Sequence, residues 1–484
     1  MSNHAYLLIN GKWTGHGPDS TAHSGPCIDP ATGEVAGSFS DAQLADVEAA
    51  VAAARSAFDQ SGWATSPRLR AQVLLDFADG LATRRGEIET WLTRVNGKLM
   101  RESVGELTGA ISELRYYAGI ARNLFGRIIE TEKGCYSSMM REPLGVAAII
   151  LPWNAPIALL ARSLAPALAA GCSVVIKSAP QTSGATAMAI ECLASLPGLP
   201  PGVVNLFTES GSAGSEFLVQ SPDVDMISFT GSNAVGKRIM ASGAATMKRL
   251  SLELGGKSPS IVLPDANLTN AVATITAAST VMAGQMCTAA SRVLVHESIA
   301  AQMRTALVQS LGAVRVGPGA DPSSQMGPLI SRASRDRVIG VVEKAADEGH
   351  MHLQGRNLTD YPQGAFLTPT LVEIEDVKSP IVQDEIFGPF LVFETFGDDQ
   401  EAISRANATR YGLAASVWTA DRNRAERISR ELASGTVWIN SYNKLMAEAE
   451  TGGYRQSGIG RLHGTEAMND FLQTKHVYYD IHAA

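Results

Sequence analysis

The chain has 484 residues, more than one hydrophobic core usually holds, so we expect two or more domains. With 45% hydrophobic and 18% charged residues, its composition is that of a globular protein rather than a disordered one. The net charge of −8 predicts solubility and argues against a nucleic-acid-binding surface.

The N-terminus has no charged-then-apolar signal pattern, and no stretch approaches about 18 uninterrupted apolar residues. We therefore expect a cytoplasmic protein with no membrane association. The five cysteines are odd in number and widely spread, and none lies in a CxxC or Cys/His cluster. This pattern predicts neither a disulfide framework nor a metal site.

The first predicted elements are a hairpin and a run of helices. Asn-Gly within residues 9–12 favours a tight hairpin turn. Apolar residues at helical spacing over 44–58 predict a helix, with Ser40 and Gln43 placed as its capping box. We expect a further helical stretch to about residue 125.

From residue 146 the pattern changes to short apolar strands that alternate with helices. The predicted strands span residues 146–151, 173–177, 203–206 and 226–229. Such alternation with short loops is typical of a doubly wound, mainly parallel sheet. A second alternating series begins near residue 258 and predicts a second α/β domain.

Three motifs contain residue types that suit covalent chemistry on a carbonyl group. Asn154 lies in Leu-Pro-Trp-Asn-Ala-Pro, Glu253 in Leu-Glu-Leu-Gly-Gly-Lys, and Cys287 in Gly-Gln-Met-Cys-Thr. A thiol can attack an aldehyde, an amide can donate to the oxyanion, and a carboxylate can activate water. With their separations, these motifs resemble the NAD(P)-dependent aldehyde dehydrogenase superfamily, and the resemblance covers nearly the whole chain.

This resemblance implies a mechanism with a covalent intermediate. Cys287 would form a thiohemiacetal, and Asn154 and the Cys287 backbone N–H would stabilise its oxyanion. After hydride transfer to the nicotinamide, Glu253 would activate the water that hydrolyses the thioester. CoA-acylating relatives characteristically lack this glutamate, so Glu253 favours the hydrolytic branch with a carboxylic acid as product.

Two other functional classes are alternatives to aldehyde oxidation for this sequence. A cysteine-dependent hydrolase or esterase needs a histidine beside its thiol, and the nearest in sequence, His296, lies in a predicted strand. A catalytically silent cofactor-binding relative would lack the thiol or the glutamate, and both are present. Aldehyde oxidation is therefore the favoured function.

The predicted cofactor site centres on the turn at residues 229–236, which follows a strand and opens a helix, as a phosphate site requires. The turn is not a GxGxxG fingerprint, and without the resemblance a structural turn is favoured. The resemblance places Lys177 at the adenosine ribose, Glu385 at the nicotinamide ribose and Phe387 near the ring. The complete predicted site comprises Ile150, Leu151, Pro152, Trp153, Asn154, Lys177, Pro180, Gly211, Phe229, Thr230, Gly231, Ser232, Val235, Gly236, Leu254, Glu385 and Phe387.

Pro180 departs from the family pattern. Three residues after the ribose-binding lysine, many NAD-preferring relatives carry a glutamate that chelates the ribose hydroxyls. Proline supplies neither that acceptor nor the charge that repels a 2′-phosphate. NAD is the expected cofactor, with NADP as the alternative.

The predicted substrate pocket contains Ala155, Ala158, Arg162, Met286 and Thr288. Many relatives have a bulky aromatic residue in place of Ala155, so the two alanines predict a roomy tunnel. Arg162 matches an arginine of succinate-semialdehyde dehydrogenases, but their second arginine corresponds to Val281 here. We favour a structural role for Arg162 over contact with a substrate carboxylate, and the sequence does not identify the aldehyde.

The resemblance also implies a division of the chain. Residues 1–122 and 144–255 would form the NAD(P)-binding domain, and residues 256–455 the catalytic domain. Residues 123–143 and 465–484 would form a small β arm for assembly into a homodimer or homotetramer. The alternating tail by itself indicates only an edge strand. Apart from copies of itself, a small-molecule aldehyde is the only partner expected.

Overall fold

The computed structural model describes residues 4–17 and 23–482. The strands are β1 (His4–Ala5), β2 (Leu7–Ile9), β3 (Lys12–Thr14), β4 (Ser24–Ile28), β5 (Val35–Ser40), β6 (Arg127–Glu132), β7 (Cys135–Pro143), β8 (Val146–Ile150), β9 (Ser173–Ser178), β10 (Val204–Thr208), β11 (Met226–Thr230), β12 (Arg249–Glu253), β13 (Ser258–Val262), β14 (Ala290–His296), β15 (His350–Leu353), β16 (Thr370–Glu373), β17 (Phe390–Phe396), β18 (Ala414–Trp418), β19 (Thr436–Ile439), β20 (Gly458–Ile459) and β21 (Leu472–Asp480).

The α-helices are α1 (Leu44–Gln60), α2 (Pro67–Thr83), α3 (Arg85–Asn96), α4 (Met100–Ile120), α5 (Pro156–Ala170), α6 (Ser183–Ala194), α7 (Ala213–Gln220), α8 (Asn233–Gly243), α9 (Leu268–Thr280), α10 (Glu297–Gly312), α11 (Arg332–Glu348), α12 (Pro380–Gln383), α13 (Asp399–Ala406) and α14 (Arg422–Glu431). Short 3-10 helices span Trp63–Thr65, Pro180–Thr182, Ala244–Thr246, Val281–Gly284, Arg455–Ser457 and Glu466–Asp470.

The first large sheet has the strand order β20-β12-β11-β8-β9-β10-β2-β3. Its central strands β8 to β12 run parallel to one another, whereas β2 and β20 pair antiparallel with its flanks. Apolar side chains are buried on both faces, against α1 on one side and α5 and α6 on the other. Burial on both faces explains why these strands read as continuous apolar runs.

The second large sheet has the order β15-β16-β17-β14-β13-β18-β19 and is parallel except at β15. Helices α9 and α10 contribute to the core on one face, and α13 and α14 to the core on the other. The structure thus confirms the predicted α/β fold class with two doubly wound sheets. The sheets organise the chain so that the carboxyl ends of several strands surround one site.

A separate antiparallel sheet joins β6 and β7 to the tail strand β21, with Leu472 opposite Pro143 and Asp480 opposite Cys135. The alternating tail is therefore a strand, as its sequence predicts. Its outer surface includes exposed apolar side chains at Ile128 and Tyr478. In this sheet β6 and β21 are the edge strands, on either side of β7.

Two local predictions have different outcomes. The Asn-Gly hairpin is confirmed, because β2 and β3 pair antiparallel and Asn10 and Gly11 have φ of 52° and 74°. The predicted Ser40–Gln43 capping box is wrong: the backbone N–H of Gln43 donates to Asp46 Oδ2 at 2.8 Å. The Ser40 hydroxyl instead donates to a loop carbonyl.

The long helical stretch predicted after residue 58 is divided into three helices. The chain leaves α3 at Gly97, whose φ of 81° is left-handed and permits α4 to start in a new direction. Within the described residues, no helix is both long and apolar enough to cross a membrane. The same residues contain no cluster of three or more metal-ligating side chains.

Candidate active site

Cys287 follows a strained left-handed turn. Met282 and Ala283 have φ of 47° and 55°, and Gly284 has φ of 72°. A Cβ atom at Gly284 would lie 2.1 Å from the Gly388 carbonyl oxygen, so only glycine fits here. The Gln285 side chain fixes the turn by donating to the Met282 carbonyl and accepting from the backbone N–H of Ile330, each at 2.9 Å. This strain sits directly before the thiol.

The Gly-Gly pair after β12 allows the Cys287 backbone and the Glu385 side chain to approach the segment that follows Glu253. A Cβ atom at Gly256 would lie 2.7 Å from the Cys287 carbonyl oxygen, and one at Gly255 would lie 2.1 Å from Glu385 Oε2. The Gly256 N–H also donates to Glu385 Oε1 at 3.2 Å. The close approach of backbones therefore explains the glycines of the Glu253 motif.

Asn154 lies in the loop between β8 and α5, and its backbone is held by buried side chains. Lys98 Nζ donates to the Asn154 carbonyl at 2.7 Å, and Asn96 Nδ2 donates to the preceding carbonyl at the same distance. Asn154 Nδ2 donates to the Gln285 carbonyl at 2.9 Å. An amide has two N–H groups, so a second donor remains beside the Cys287 loop.

Burial shifts the titration of both reactive groups. Burial raises the pKa of the Cys287 thiol to about 11, although the nearby Arg162 charge acts to lower it. Burial also raises the pKa of Glu253 to about 8, and Arg162 again opposes that shift. Among the described residues, Glu253 Oε1 is buried without a hydrogen-bond partner. A buried carboxyl group with a pKa near 8 is suited to act as a base.

Two cavities meet at Met286 and Cys287. The larger has a volume of about 560 Å³ and contains Glu253 in its wall. The smaller is lined by Glu385 and Phe387 as well as by Met286 and Cys287. Cys287 therefore borders both a space large enough for an organic substrate and the cavity whose wall includes the residues predicted to face a nicotinamide ribose and its ring.

All five residues predicted for the substrate pocket line the larger cavity: Ala155, Ala158, Arg162, Met286 and Thr288. The two alanines add little side-chain volume to the cavity wall, and the roomy tunnel stays a prediction. Arg162 Nη1 contacts His463 Nε2 at 3.4 Å, and Arg162 Nε is buried without a hydrogen-bond partner in the described structure. Arg162 thus lines the cavity and also contacts a neighbouring segment.

Most of the predicted cofactor residues lie at the carboxyl ends of neighbouring parallel strands, whereas Glu385 and Phe387 lie in the loop between α12 and β17 of the other large sheet. Ile150 and Leu151 end β8, Lys177 lies near the end of β9, and Thr230 and Leu254 mark the ends of β11 and β12. The same edge is completed by the remaining members: Pro152, Trp153, Pro180, Gly211, Phe229, Gly231, Ser232, Val235 and Gly236. Ligands of open α/β sheets bind at such an edge.

The chemistry at this edge fits a dinucleotide. Ser232 is the N-cap of α8, where the positive end of the helix dipole suits a pyrophosphate. Burial lowers the pKa of Lys177 and raises that of Glu385 to about 7. The Trp153 and Phe387 rings pack edge to face at 5.6 Å, and Phe387 has a left-handed φ of 54°. The α8 N-terminus, the Lys177 ammonium group and the Glu385 carboxyl group are thus suited to bind phosphates and ribose hydroxyls.

Several residues that support this site carry no sequence signal that predicts it. Lys98 and Glu106 form a buried ion pair, and Glu106 accepts hydrogen bonds from two backbone N–H groups at the start of α5. Glu102 accepts from the Met282 N–H at 2.8 Å, between segments 180 residues apart. Glu113 and His463 also line the cavity. Each of these contacts depends on tertiary proximity rather than on a local pattern.

Comparison with known proteins gives consistent results across the chain. The model of the aldehyde dehydrogenase family matches residues 18–477. A betaine aldehyde dehydrogenase of Bacillus subtilis is 36% identical over 98% of this chain and 96% of that protein. An NADP/NAD-dependent aldehyde dehydrogenase of Escherichia coli, PuuC, is 35% identical over 99% of this chain and 96% of that protein.

A solved structure gives the same result for the fold. The betaine aldehyde dehydrogenase of Staphylococcus aureus, in complex with NAD+, superposes with a TM-score of 0.95 at 33% identity. The match covers 98% of this chain and 94% of that one.

Proposed function

This chain belongs to the aldehyde dehydrogenase family and is an NAD(P)-dependent aldehyde oxidoreductase, and from that premise we propose which residues perform the reaction. Cys287 is the nucleophile, Asn154 is the oxyanion donor and Glu253 is the base for hydrolysis. The observation that supports this assignment is that Cys287 lines both cavities, with Glu253 in the wall of the larger one.

The first step is attack of the Cys287 thiolate on the aldehyde carbon. A carbon–sulfur bond forms, and the carbonyl π electrons move onto the oxygen to give a thiohemiacetal oxyanion. The free N–H of the Asn154 amide and the backbone N–H of Cys287 would donate to that oxygen. One such donor contributes about 3 kcal/mol to the stability of the transition state. The hydrogen bond from Asn154 to the Gln285 carbonyl orients the amide before substrate arrives.

Bound NAD(P)+ supplies the acceptor for the hydride that leaves the thiohemiacetal carbon. We propose that the α8 N-terminus holds the pyrophosphate, Lys177 the adenosine ribose and Glu385 the nicotinamide ribose. The compared crystal complex contains NAD+, and one relative is named for both NADP and NAD. Pro180 places no carboxylate near the 2′ position, so we propose that this chain also accepts NADP.

The last step releases the acid. Glu253 removes a proton from water, the water oxygen bonds to the thioester carbon, and the Cys287 thiolate departs. Burial without a hydrogen-bond partner keeps the Glu253 carboxylate poorly solvated and therefore basic. The product is a free carboxylic acid, which distinguishes this chain from relatives that transfer the acyl group to CoA.

The cavity wall favours an uncharged aldehyde with an apolar body. Apolar side chains dominate the wall around the thiol, including Ala155, Met286 and Leu445. Two acidic residues of the wall have side-chain partners within the protein: Glu106 forms an ion pair with Lys98, and Glu113 accepts a hydrogen bond from His463. The Glu106 charge is thus neutralised by Lys98, and the Glu113 carboxylate is engaged by the imidazole rather than presented to a cationic substrate.

A panel of aldehydes of matched length tests this proposal, with kcat/KM measured from the absorbance of reduced nicotinamide. A neutral aromatic aldehyde should exceed both a quaternary ammonium aldehyde and a carboxylated aldehyde by about tenfold or more, on the order of 1.4 kcal/mol. Equal or better turnover of the ammonium aldehyde would contradict the proposal and assign this chain the substrate named for its betaine aldehyde relatives.

We also propose that the β6–β7–β21 sheet is the subunit contact of a homodimer or homotetramer, and that the chain divides into the three parts predicted above. Ile128 and Tyr478 are 71% and 54% exposed on this sheet, which is unfavourable for an isolated apolar surface. Replacing both with Asp should give a monomer by light scattering, and an unchanged mass would contradict the assignment. The cytoplasmic location stays a prediction.

A further inference from the structure

A chain of three polar side chains runs along one wall of the catalytic cavity. His463 Nδ1 lies 2.8 Å from Glu113 Oε2, and His463 Nε2 lies 3.4 Å from Arg162 Nη1. The three residues come from α4, α5 and the segment after β20, and all three line the same cavity as Cys287 and Glu253. The contacts therefore connect remote parts of the sequence directly to the reaction site.

These side chains lie where polar groups are costly. Glu113 and His463 are 2% and 6% exposed, and His463 has a left-handed φ of 62°. Burial of a carboxylate, an imidazole and a guanidinium carries a desolvation penalty that only specific pairing offsets. An apolar wall would suffice to enclose a substrate, so enclosure alone does not explain this arrangement.

The chemistry of the donors fixes the protonation of the imidazole. A guanidinium can only donate, so His463 Nε2 must be the acceptor from Arg162, and the ring proton must lie on Nδ1. That proton is then donated to Glu113 Oε2. Burial is the largest effect on the pKa of His463 and lowers it, which favours the neutral ring that this arrangement requires. The Glu113 hydrogen bond raises this pKa, and the Arg162 charge lowers it. Glu113 thus selects the tautomer that can hold Arg162.

We propose that Glu113 and His463 form a positioning pair that holds the Arg162 guanidinium in the catalytic cavity, where its charge favours the ionised forms of Cys287 and Glu253. This inference rests on the proposed roles of Cys287 and Glu253. His463 and Glu113 act through Arg162 and do not contact the reacting atoms. They place a fixed positive charge beside a sulfur and a carboxylate that must both become negative during the reaction.

Electrostatics supports the direction of this effect. Burial raises the pKa of both Cys287 and Glu253, and Arg162 is the largest of the charges that lower them again. Other charges act on one or both groups, so Arg162 is not the sole contributor. The charged or titratable groups facing these two residues and Arg162 from the surrounding elements are Glu102, Glu106, Glu113, Glu385, Tyr442, Glu448, Arg461, His463 and Asp470.

The test is the pH dependence of Cys287 alkylation by iodoacetamide in the full-length protein without cofactor. The other four cysteines are buried, and the Cys287→Ala variant measures their background. Arg162→Met should shift the alkylation profile upward by about one pH unit, which lowers the rate about tenfold near neutral pH. Arg162→Lys keeps the charge and should remain within about threefold of wild type.

A pair of His463 variants separates positioning from packing. His463→Leu fills the space without an acceptor and should shift the profile in the same direction as Arg162→Met, with a rate loss of roughly threefold. His463→Gln keeps an acceptor oxygen and should restore the rate to within about twofold of wild type. Arg115→Met is the matched control: it removes a guanidinium from α4, but at a position exposed to solvent and paired with Asp79. Its profile should equal that of wild type.

Two results would overturn this inference. One is an Arg162→Met profile identical to wild type, and the other is an equal shift in His463→Leu and His463→Gln, which would show that the ring only fills space. The His463 pair decides the matter even where Arg162→Met does not fold. Aldehyde oxidation that survives in Cys287→Ala would instead contradict the proposed function, so the two failures are distinguishable.

Discussion

The reaction centre and the far wall of the substrate cavity are built in different ways. Around Cys287, backbone geometry dominates: a left-handed turn, glycines in contact with neighbouring carbonyls, and strand ends that converge. The far wall depends on side-chain pairs such as Glu113 with His463, which are 350 residues apart. The centre is thus specified by local motifs, and the wall by long-range pairing.

This difference predicts how substitutions will act. A change at the centre alters groups that every aldehyde must use, so all substrates should be affected by a similar factor. A wall substitution that leaves the Glu113–His463–Arg162 contacts intact alters only the space around the rest of the substrate, so its effect should depend on substrate size and charge.

Cys287→Ala should have the largest effect, because no carbon–sulfur bond can form. Oxidation of every aldehyde in a panel should fall below about one per cent of wild type. The variant should still bind NAD, because the thiol is not part of the dinucleotide edge. Quenching of intrinsic protein fluorescence measures that binding. Turnover above that level would show that another group is the nucleophile.

Glu253→Gln should affect hydrolysis more than hydride transfer, because the base acts after the thioester has formed. Rapid mixing should show a burst of reduced cofactor, roughly one per active site, followed by a steady rate lowered on the order of a hundredfold. A variant that loses its burst as well as its steady rate would place Glu253 earlier in the reaction, as a base for the thiol.

The same carboxyl group predicts the pH profile of wild type. Only ionised Glu253 can accept the proton from water, and burial raises its pKa to about 8. Below that pH the ionised fraction falls about tenfold per unit, so a kcat limited by hydrolysis should rise with pH and level off above about 8. Glu253→Gln serves as the control, because its residual kcat should lack this inflection.

The candidate residues of the centre could be selected from the sequence for a physical reason. The motifs of Asn154, Glu253 and Cys287 each lie at a strand end or tight turn, where local backbone requirements restrict the residue type. The wall offered no such signal: Glu113 lies within an amphipathic helix, and His463 follows the closing Gly-Ile-Gly-Arg motif with nothing to indicate its partner. The Ser40–Gln43 prediction failed similarly, because the Ser40 hydroxyl is used in a tertiary contact.

Ala155→Phe should alter the wall without altering the chemistry. A phenyl ring in the cavity would occupy space that a bulky aldehyde needs, so kcat/KM for an aromatic aldehyde should fall about tenfold. A two-carbon aldehyde should change by less than about twofold. Similar losses for both aldehydes would mean that the ring displaces the neighbouring Asn154 amide, and the division between centre and wall would not hold at this residue.

Pro180→Glu should have the smallest effect and should leave both the centre and the wall unchanged. Pro180 starts a short 3-10 helix after β9, three residues beyond Lys177, at the carboxyl edge proposed to bind the adenosine ribose. A carboxylate there can accept hydrogen bonds from the ribose hydroxyls and repel a 2′-phosphate. The ratio of kcat/KM for NAD to that for NADP should therefore rise about fivefold or more, on the order of 1 kcal/mol.

Pro180→Ala is the matched control, because it removes the ring without adding charge and should leave the ratio within about twofold of wild type. Relative rates for different aldehydes should be the same in both variants as in wild type, since residue 180 lines neither cavity that contains the thiol. A constant cofactor ratio in Pro180→Glu would mean that the adenosine ribose binds away from the end of β9, and Lys177 would then lose its proposed role.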